Sequence, residues 1–223
     1  LSEIDKYTSK TFPSSKHLPL KILGGINWRL LYIAKQMWLF NRQRLIKKKA
    51  KRMLEMADML LPNSYAELEI IVQTFKMPWL RAVSMIVPNG AKNPKQMTSN
   101  GHEKNNIQKE LPTPYVLEVA NIDPAKGQLS VIKALQDFPE IPLVFVGRGL
   151  DSTYGQECQR LADKRGNVHF LGKINHENLG PIYSSAKVHI LPSFRESPGL
   201  ATIEAATYGA NCVASIYGPV TEY

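Results

Sequence analysis

The sequence predicts an α/β protein whose second half forms a parallel sheet with helices on both faces. From residue 115 onward, short apolar runs alternate with segments of helical periodicity, which is typical of parallel strands joined by right-handed crossovers. Hydrophobic residues make up 43% of the chain, yet no apolar run reaches the ~18 residues of a membrane span, so the composition indicates a globular core. Sheets of this doubly wound, nucleotide-binding type gather their ligands at the carboxyl ends of the strands.

The first quarter of the chain is expected to be a loop followed by a basic helical segment. Residues 1–25 lack a clear period, whereas the apolar residues of 27–58 are distributed as in a helix. Because about thirty residues is long for a globular helix, we expect a break or a kink near Phe40-Asn41. Three short elements follow: a buried strand at 59–62, a helix at 66–75 that starts from Asn63-Ser64, and a strand at 83–87.

Residues 91–114 form the most polar stretch and mark the expected linker between two domains. The chain ends soon after the fifth strand of the second domain and starts with Leu1, so we expect it to be a piece of a longer protein. In this domain, strands are predicted at 115–120, 143–146, 168–171, 188–191 and 212–215, and helices at 128–137, 154–165, 176–184 and 198–208.

The positive charge of the chain is concentrated in its first 60 residues. They hold 13 Lys and Arg against 4 Asp and Glu, whereas the remainder holds 15 of each. The densest run, Arg42 to Arg52, carries seven positive charges and no acid, which indicates either a solvated helix face or a contact with anionic lipid. Nucleic-acid binding is disfavoured, because the charge is local and no base-stacking motif accompanies it.

The cysteine count indicates a reducing compartment. Cys158 and Cys212 are too few for a disulfide framework or a structural zinc site, and no secretion signal opens the chain. A cytoplasmic location is therefore expected.

The strongest functional pattern follows the fourth predicted strand of the second domain. Ser197 is suited to cap a helix, Pro198 to its first turn and Gly199 to a close ligand approach, so a phosphate site is expected at this helix start. Glu196 and Glu204 lie eight residues apart, and their carboxylates suit the hydroxyl groups of sugars on either side of a phosphate. The alternative is an ordinary capped helix with an acidic first turn.

Two weaker patterns follow the first two strands of that domain. Lys126-Gly127 stands at a strand-to-helix turn, where the ammonium group could reach a phosphate in the same crevice. Gly147-Arg148-Gly149 is a tight glycine turn of a common kind. Taken alone, each is also compatible with a solvated loop.

Taken together and in order, these motifs resemble the donor domain of group 1 (family 4) glycosyltransferases. The resemblance extends over about residues 111–223. It rests on Lys126-Gly127, Val146–Gly149, Phe170–Gly172, Leu191–Leu200 with Glu204-Ala205, and Tyr208–Ser215.

The resemblance implies the GT-B architecture, in which two Rossmann-like domains face a cleft. Residues 1–90 would be the C-terminal part of the acceptor-side domain, 91–114 the linker, and 115–223 a nucleotide-sugar donor domain truncated at its C-terminus. The implied reaction is a hexosyltransferase type of transfer with retention, from a UDP- or GDP-linked sugar to a saccharide or lipid-linked acceptor in cell-surface glycan synthesis. The implied location is the cytoplasm, with peripheral contact between the protein and the inner face of the cell membrane.

Roles for single residues follow only from this resemblance. Glu196 would accept hydrogen bonds from the donor sugar, Lys126 would balance the diphosphate charge, and Glu204 would hold the ribose. The family usually has an arginine where Asn121 stands. The backbone amides around Ser197, Gly199 and Leu200 would surround the diphosphate, and the backbone at Lys173 and Ile174 would lie near the base. The other residues expected at the donor site are Asn121, Gly127 and Pro198.

No metal or cofactor is expected, and no Asp-x-Asp sequence occurs in the chain. Two alternatives stay open at this point. The chain is either part of an enzyme that is inactive as this fragment, or a non-catalytic module that binds nucleotide sugars.

Overall fold

A computed structural model describes residues 28–91, 111–194, 196, 199–216 and 222. The chain divides into two compact units, and the boundary falls between Val87 and Pro88. The expected loop at 1–25 and most of the expected linker lie outside the described residues.

The first unit opens with a single long helix, α1, from Trp28 to Glu55. The predicted break near Phe40-Asn41 is wrong, since the helix continues through both residues. The segment contains neither glycine nor proline and is rich in leucine, lysine and arginine, all good helix formers, so the local composition favours an unbroken helix. The residues of the basic run are exposed, apart from the partly buried Ala50.

Helix α2, from Tyr65 to Phe75, confirms the predicted helix and its start. The Ser64 hydroxyl accepts a hydrogen bond from the backbone N–H of Glu67 at 3.0 Å, and the Glu67 carboxylate accepts one from the N–H of Asn63 at 2.8 Å. This reciprocal capping satisfies two amides at the helix start. The core of the unit consists of Leu68, Val72, Met77 and Leu80, with partly buried apolar neighbours that include Leu54 of α1.

The two strands predicted in this unit are not formed as such. Leu60 and Ser84 make one isolated parallel bridge, and a 3-10 helix from Pro78 to Val83 occupies the start of the second predicted strand. Met59 and Leu61 are exposed, so the expected buried strand is also wrong in its burial. Pro62 ends the first segment and cannot donate to a ladder, which limits the pairing to a few hydrogen bonds.

The second unit contains a five-stranded, fully parallel sheet with the order β3-β2-β1-β4-β5. All five predicted strands are present, which confirms the α/β fold class. β4 begins two residues earlier than predicted, at Ala186. The strands are β1 (Tyr115–Val119), β2 (Leu143–Val146), β3 (Val168–Phe170), β4 (Ala186–Leu191) and β5 (Asn211–Ala214).

Helices connect these strands, and the largest difference from the predictions is one helix that divides into two elements. The single helix predicted at 176–184 is a short 3-10 turn, His176–Asn178, followed by α5 from Gly180 to Ser185. Pro181 lacks a backbone N–H and is tolerated only near the start of a helix, so the chain begins a new helix there. The other helices are α3 (Gln128–Ala134), α4 (Thr153–Arg165) and α6 (Leu200–Thr207).

Helices cover both faces of the sheet. Along β2, Leu143 and Phe145 face one core together with α3 and α4, whereas Val144 and Val146 face a second core with α5 and α6. This alternation is expected for a strand that is buried on both sides. Of the helices in the described ranges, none combines the length and the apolar composition that crossing a membrane requires.

Candidate functional site

The predicted motifs meet at one edge of the sheet because all five strands are parallel. The chain moves outward from the central β1 through β2 to β3, and then returns to β4 and β5 on the other side of β1. The loops after β1 and β4 therefore leave the sheet in opposite directions. Such a switch point leaves a crevice at the carboxyl ends of the strands, where ligands of this fold class bind.

Backbone contacts join the loops at this edge. The N–H of Phe194 donates to the carbonyl of Ala125 at 2.8 Å, which links the loop after β4 to the loop after β1. At Gly147, a Cβ atom would lie 1.9 Å from the carbonyl oxygen of Ala120, so only glycine fits between the loops after β1 and β2. Gly127 has a φ of 84° and begins α3 next to Pro192.

Lys126 and Glu196 lie in direct contact across the switch point. The ammonium Nζ of Lys126 donates to Oε2 of Glu196 at 2.6 Å, and the two side chains are only 27% and 13% exposed. Charge-assisted hydrogen bonds of this length are among the stronger polar contacts in proteins. The structure thus brings together the cation and the carboxylate expected at the site.

Glu204 on α6 is held at both carboxylate oxygens. Oε1 lies 2.7 Å from Nε2 of His176, and Oε2 accepts from the hydroxyl of Tyr183 at 2.9 Å. Burial, followed by the charge of Glu204, raises the pKa of Tyr183, so its hydroxyl remains a donor at ordinary pH. The sequence did not indicate either partner, because no spacing connects them to Glu204.

The start of α6 differs from the prediction. The helix begins at Leu200 with Gly199, at a φ of 74°, as its N-cap residue, so Ser197 is not the cap. Ser197 and Pro198 themselves lie outside the described residues. Gly199 is buried and Leu200 is 45% exposed. A glycine cap provides no side-chain oxygen, so it leaves the first amides of the helix without a side-chain partner from this residue.

A pocket of about 340 Å³ lies at the carboxyl ends of β1 and β2. The exposed Asn121, Arg148 and Lys173 line it on the polar side. The predicted contact residues Lys173 and Ile174 thus border the same pocket as Asn121. The remaining lining residues are Val119, Ala120, Val146, Gly147 and Leu179.

Two buried polar side chains beneath the β1 loop were not expected from the sequence. Glu118 is in β1 and Gln128 is at the start of α3, and both are fully buried. Nε2 of Gln128 donates to Oε1 of Glu118 at 2.7 Å. In the parts of the chain that the structure describes, no group of three or more His, Cys, Asp or Glu side chains could hold a metal ion.

Comparison with known proteins defines the class to which this site belongs. The family model described as "Glycosyl transferases group 1" matches residues 100–223, which is more than half of the chain. The chain therefore belongs to the group 1 glycosyltransferases. Its fold is that of the GT-B glycosyltransferases.

Similar proteins include both curated relatives and solved structures. The O-antigen chain mannosyltransferase B of Escherichia coli is 28% identical over 107 residues, which cover 45% of this chain and 28% of that protein. Sucrose-phosphate synthase from Thermosynechococcus elongatus aligns with a TM-score of 0.60 at 30% identity, over 77% of this chain and 44% of that one. HepE of Anabaena, in complex with UDP-glucose, aligns with a TM-score of 0.59 at 21% identity, over 74% and 47% of the two chains. The matched part is less than half the length of each of these proteins.

Proposed function

We propose that this chain contributes the donor-binding domain of a glycosyltransferase that transfers a sugar, with retention, from a nucleoside diphosphate sugar. The observation that carries the proposal is the Lys126–Glu196 contact at the switch point of a sheet from this family. An ammonium group next to a carboxylate offers one group for a diphosphate and one for sugar hydroxyls. Retention is proposed because it is the usual pattern of the family.

The proposed chemistry depends on stabilising the leaving nucleoside diphosphate. Lys126 would supply positive charge, and the amides at the start of α6, next to Gly199 and Leu200, would supply hydrogen-bond donors. Groups that are already oriented towards the developing charge lower the barrier, because they need little reorganisation during the reaction. Glu196 would orient the donor sugar, and Glu204 would accept hydrogen bonds from the ribose. No metal is needed in this scheme.

The pocket next to Asn121 and Lys173 is the proposed place of the nucleobase. Its apolar walls suit a flat base, and the backbone at Lys173 and Ile174 offers polar groups for the base edge. A UDP-linked donor is the first candidate because the similar HepE structure contains UDP-glucose. A GDP-linked donor is the second candidate.

The proposed acceptor is a saccharide or a lipid-linked saccharide used for cell-surface glycans, as the name of the Escherichia coli relative suggests.

We also propose that the protein acts in the cytoplasm, at the inner face of the membrane. On α1, the exposed basic run is interspersed with exposed apolar side chains, and this combination favours an anionic lipid surface. The exposed apolar residues are Leu45 and Ile46 within the run and Met53 and Met56 shortly after it.

Nucleotide titration tests the proposed donor site. We would measure binding of UDP, GDP and ADP to the chain by calorimetry, with Glu204→Ala as the site variant and Glu177→Ala as a matched exposed control. Saturable binding of one nucleotide that only Glu204→Ala abolishes supports the proposal. No binding by the folded wild-type chain would contradict it.

Turnover separates the enzyme from a non-catalytic nucleotide-sugar-binding module. In the full-length protein, donor hydrolysis or transfer that Lys126→Ala and Glu196→Ala abolish would support the enzyme. Tight donor binding without turnover, with acceptors supplied, would support the module, and the asparagine at position 121 would then be part of the reason.

Vesicle binding tests the membrane contact. The chain should bind vesicles with anionic lipids but not neutral ones, and Lys47/Lys48/Lys49→Gln should weaken this binding. A triple variant in the second unit, Lys133/Lys164/Lys187→Gln, removes the same number of positive charges and should still bind the anionic vesicles. Equal losses in both variants would mean that only net charge matters.

A further inference from the structure

The amide of Gln128 connects β1 to the loop that carries Lys126. Its Nε2 donates to Oε1 of Glu118 at 2.7 Å and to the carbonyl of Asn121 at 3.0 Å. Its Oε1 accepts from the N–H of Asp123 at 3.3 Å. The nitrogen and the oxygen of one side-chain amide therefore hold the backbone of the same loop at two residues, Asn121 and Asp123.

This pair is costly to bury. Burial raises the pKa of Glu118 well above its usual range, against the opposing effects of the Lys126 charge and the Gln128 hydrogen bond, and so favours the neutral form of the carboxyl group. Its Oε2 has no hydrogen-bond partner among the described residues. Replacing both partners of a buried polar pair with apolar side chains is often nearly neutral for stability. The two backbone groups that Gln128 would release belong to Asn121 and Asp123, which are exposed, so water can replace the amide there. Folding alone therefore gives little reason for this pair.

The loop held by Gln128 leads directly to the proposed donor site. Within it, the N–H of Lys126 donates to the carbonyl of Asp123 at 2.9 Å, so fixing Asp123 also fixes the backbone of Lys126. The side chain of Lys126 then reaches Glu196. A displacement of this loop by about an ångström would move the ammonium group away from its partner, and such misplacement is costly for a binding or catalytic group.

We propose that Gln128 is a positioning residue for the donor site: its amide fixes the loop that presents Lys126 to the donor diphosphate, and the buried Glu118 fixes the amide. The inference rests on the proposed function for the identity of the ligand. The position of the loop itself can be tested without a ligand.

The decisive variant is the double substitution Glu118→Met/Gln128→Met, which replaces both polar groups with unbranched apolar side chains of similar size. We expect a melting temperature close to that of the wild type and UDP binding that is at least tenfold weaker. Glu118→Gln keeps a neutral group that can bond to Gln128, and it should bind UDP as the wild type does. A folded double variant with wild-type UDP affinity would overturn the proposal.

Hydrogen exchange provides the test that does not depend on nucleotide. In the double variant, the amides of Asp123 and Lys126 should exchange at least tenfold faster, while those of α4 remain protected. Unchanged exchange of the loop amides overturns the positioning role even where the chain binds no nucleotide. Should the double variant not fold, Gln128→Asn, which keeps the amide but shortens its reach to the loop, is measured in the same way. Absence of UDP and GDP binding by the wild-type chain, with faster loop exchange in the variant, contradicts the proposed function and leaves the positioning role supported.

Discussion

Lys126 and Glu196 are 70 positions apart in the chain, yet the ammonium nitrogen of one lies 2.6 Å from a carboxylate oxygen of the other. The contact forms because β1 and β4 are neighbours in the sheet and both loops leave from the same edge. Each group neutralises the charge of the other at the place where the donor diphosphate is proposed to bind. The pair therefore links the Lys126-Gly127 turn after β1 to the segment after β4 that contains Glu196.

Removing the cation from this pair should weaken nucleotide binding. Lys126→Ala takes away a positive charge and leaves the Glu196 carboxylate facing the diphosphate, so we expect UDP affinity to fall by about 10- to 100-fold. Calorimetry measures this loss, and Lys187→Ala, at an exposed position of β4, is the control.

A double-mutant cycle distinguishes the two roles open to Lys126. If the lysine only balances Glu196, Lys126→Ala/Glu196→Ala should bind UDP as tightly as Glu196→Ala does. If it also contacts the diphosphate, the double variant should remain weaker than Glu196→Ala. The second result is expected.

The hydrogen bond from Tyr183 to Glu204 should affect how strongly the site prefers a ribonucleotide to a deoxyribonucleotide. Tyr183 holds Oε2 of Glu204 and so orients the carboxylate that is proposed to bind the ribose hydroxyls. The wild type should prefer UDP to 2′-deoxy-UDP, Glu204→Ala should lose this preference, and Tyr183→Phe should reduce it severalfold. Competition titration with the two nucleotides measures the ratio. A Tyr183→Phe variant with the full preference would show that His176 and the helix alone orient Glu204.

The sheet could be predicted because its determinants are local. Each strand of the second unit is a short apolar run between turn residues, and this pattern alone specifies both existence and position to within two residues. The parallel order then places the loops with Lys126 and Glu196 at one edge. The break expected near Asn41 was wrong because it relied on typical helix length, whereas the residues around Asn41 are themselves compatible with a helix.

The partners inside the site could not be predicted, because each is a contact between side chains that are distant in sequence. His176 was assigned to a helix start, and nothing in its neighbourhood points to Glu204, 28 positions away. Gln128 follows the Lys126-Gly127 motif and has the appearance of an ordinary first-turn residue. Its role depends on Glu118, which lies in an otherwise apolar strand. A carboxylate in the middle of such a strand is the signal that could have been used.

Acid should destabilise the second unit through His189. The ring is buried in β4, and burial lowers the pKa of His189 to about 4, from an ordinary value near 6.5. The unfolded chain therefore binds an additional proton between these values. The stability that the neutral ring contributes is complete above pH 6.5 and is lost as the pH falls towards 4, by about 3 kcal/mol. Denaturant unfolding at several pH values measures the slope, and His189→Leu should reduce it. An identical slope in the variant would assign the effect to other groups.

Arg165 should stabilise the fold without affecting the site. Its guanidinium donates to the carbonyls of Leu135, Phe138 and Ile141, at 2.8, 2.6 and 2.7 Å, and so fastens the connection that leads into β2 to the end of α4. The three donors of a lysine diverge from a single nitrogen and cannot reproduce the guanidinium fork that reaches these carbonyls, so Arg165→Lys should lower the free energy of unfolding by about 3 kcal/mol. Arg160→Lys, at an exposed position of the same helix, should change it by less than about 0.5 kcal/mol. Because these carbonyls lie before β2, at the edge of the sheet opposite the proposed site, folded Arg165→Lys should bind UDP with wild-type affinity. A loss of affinity in the folded variant would mean that the two edges of the sheet are coupled.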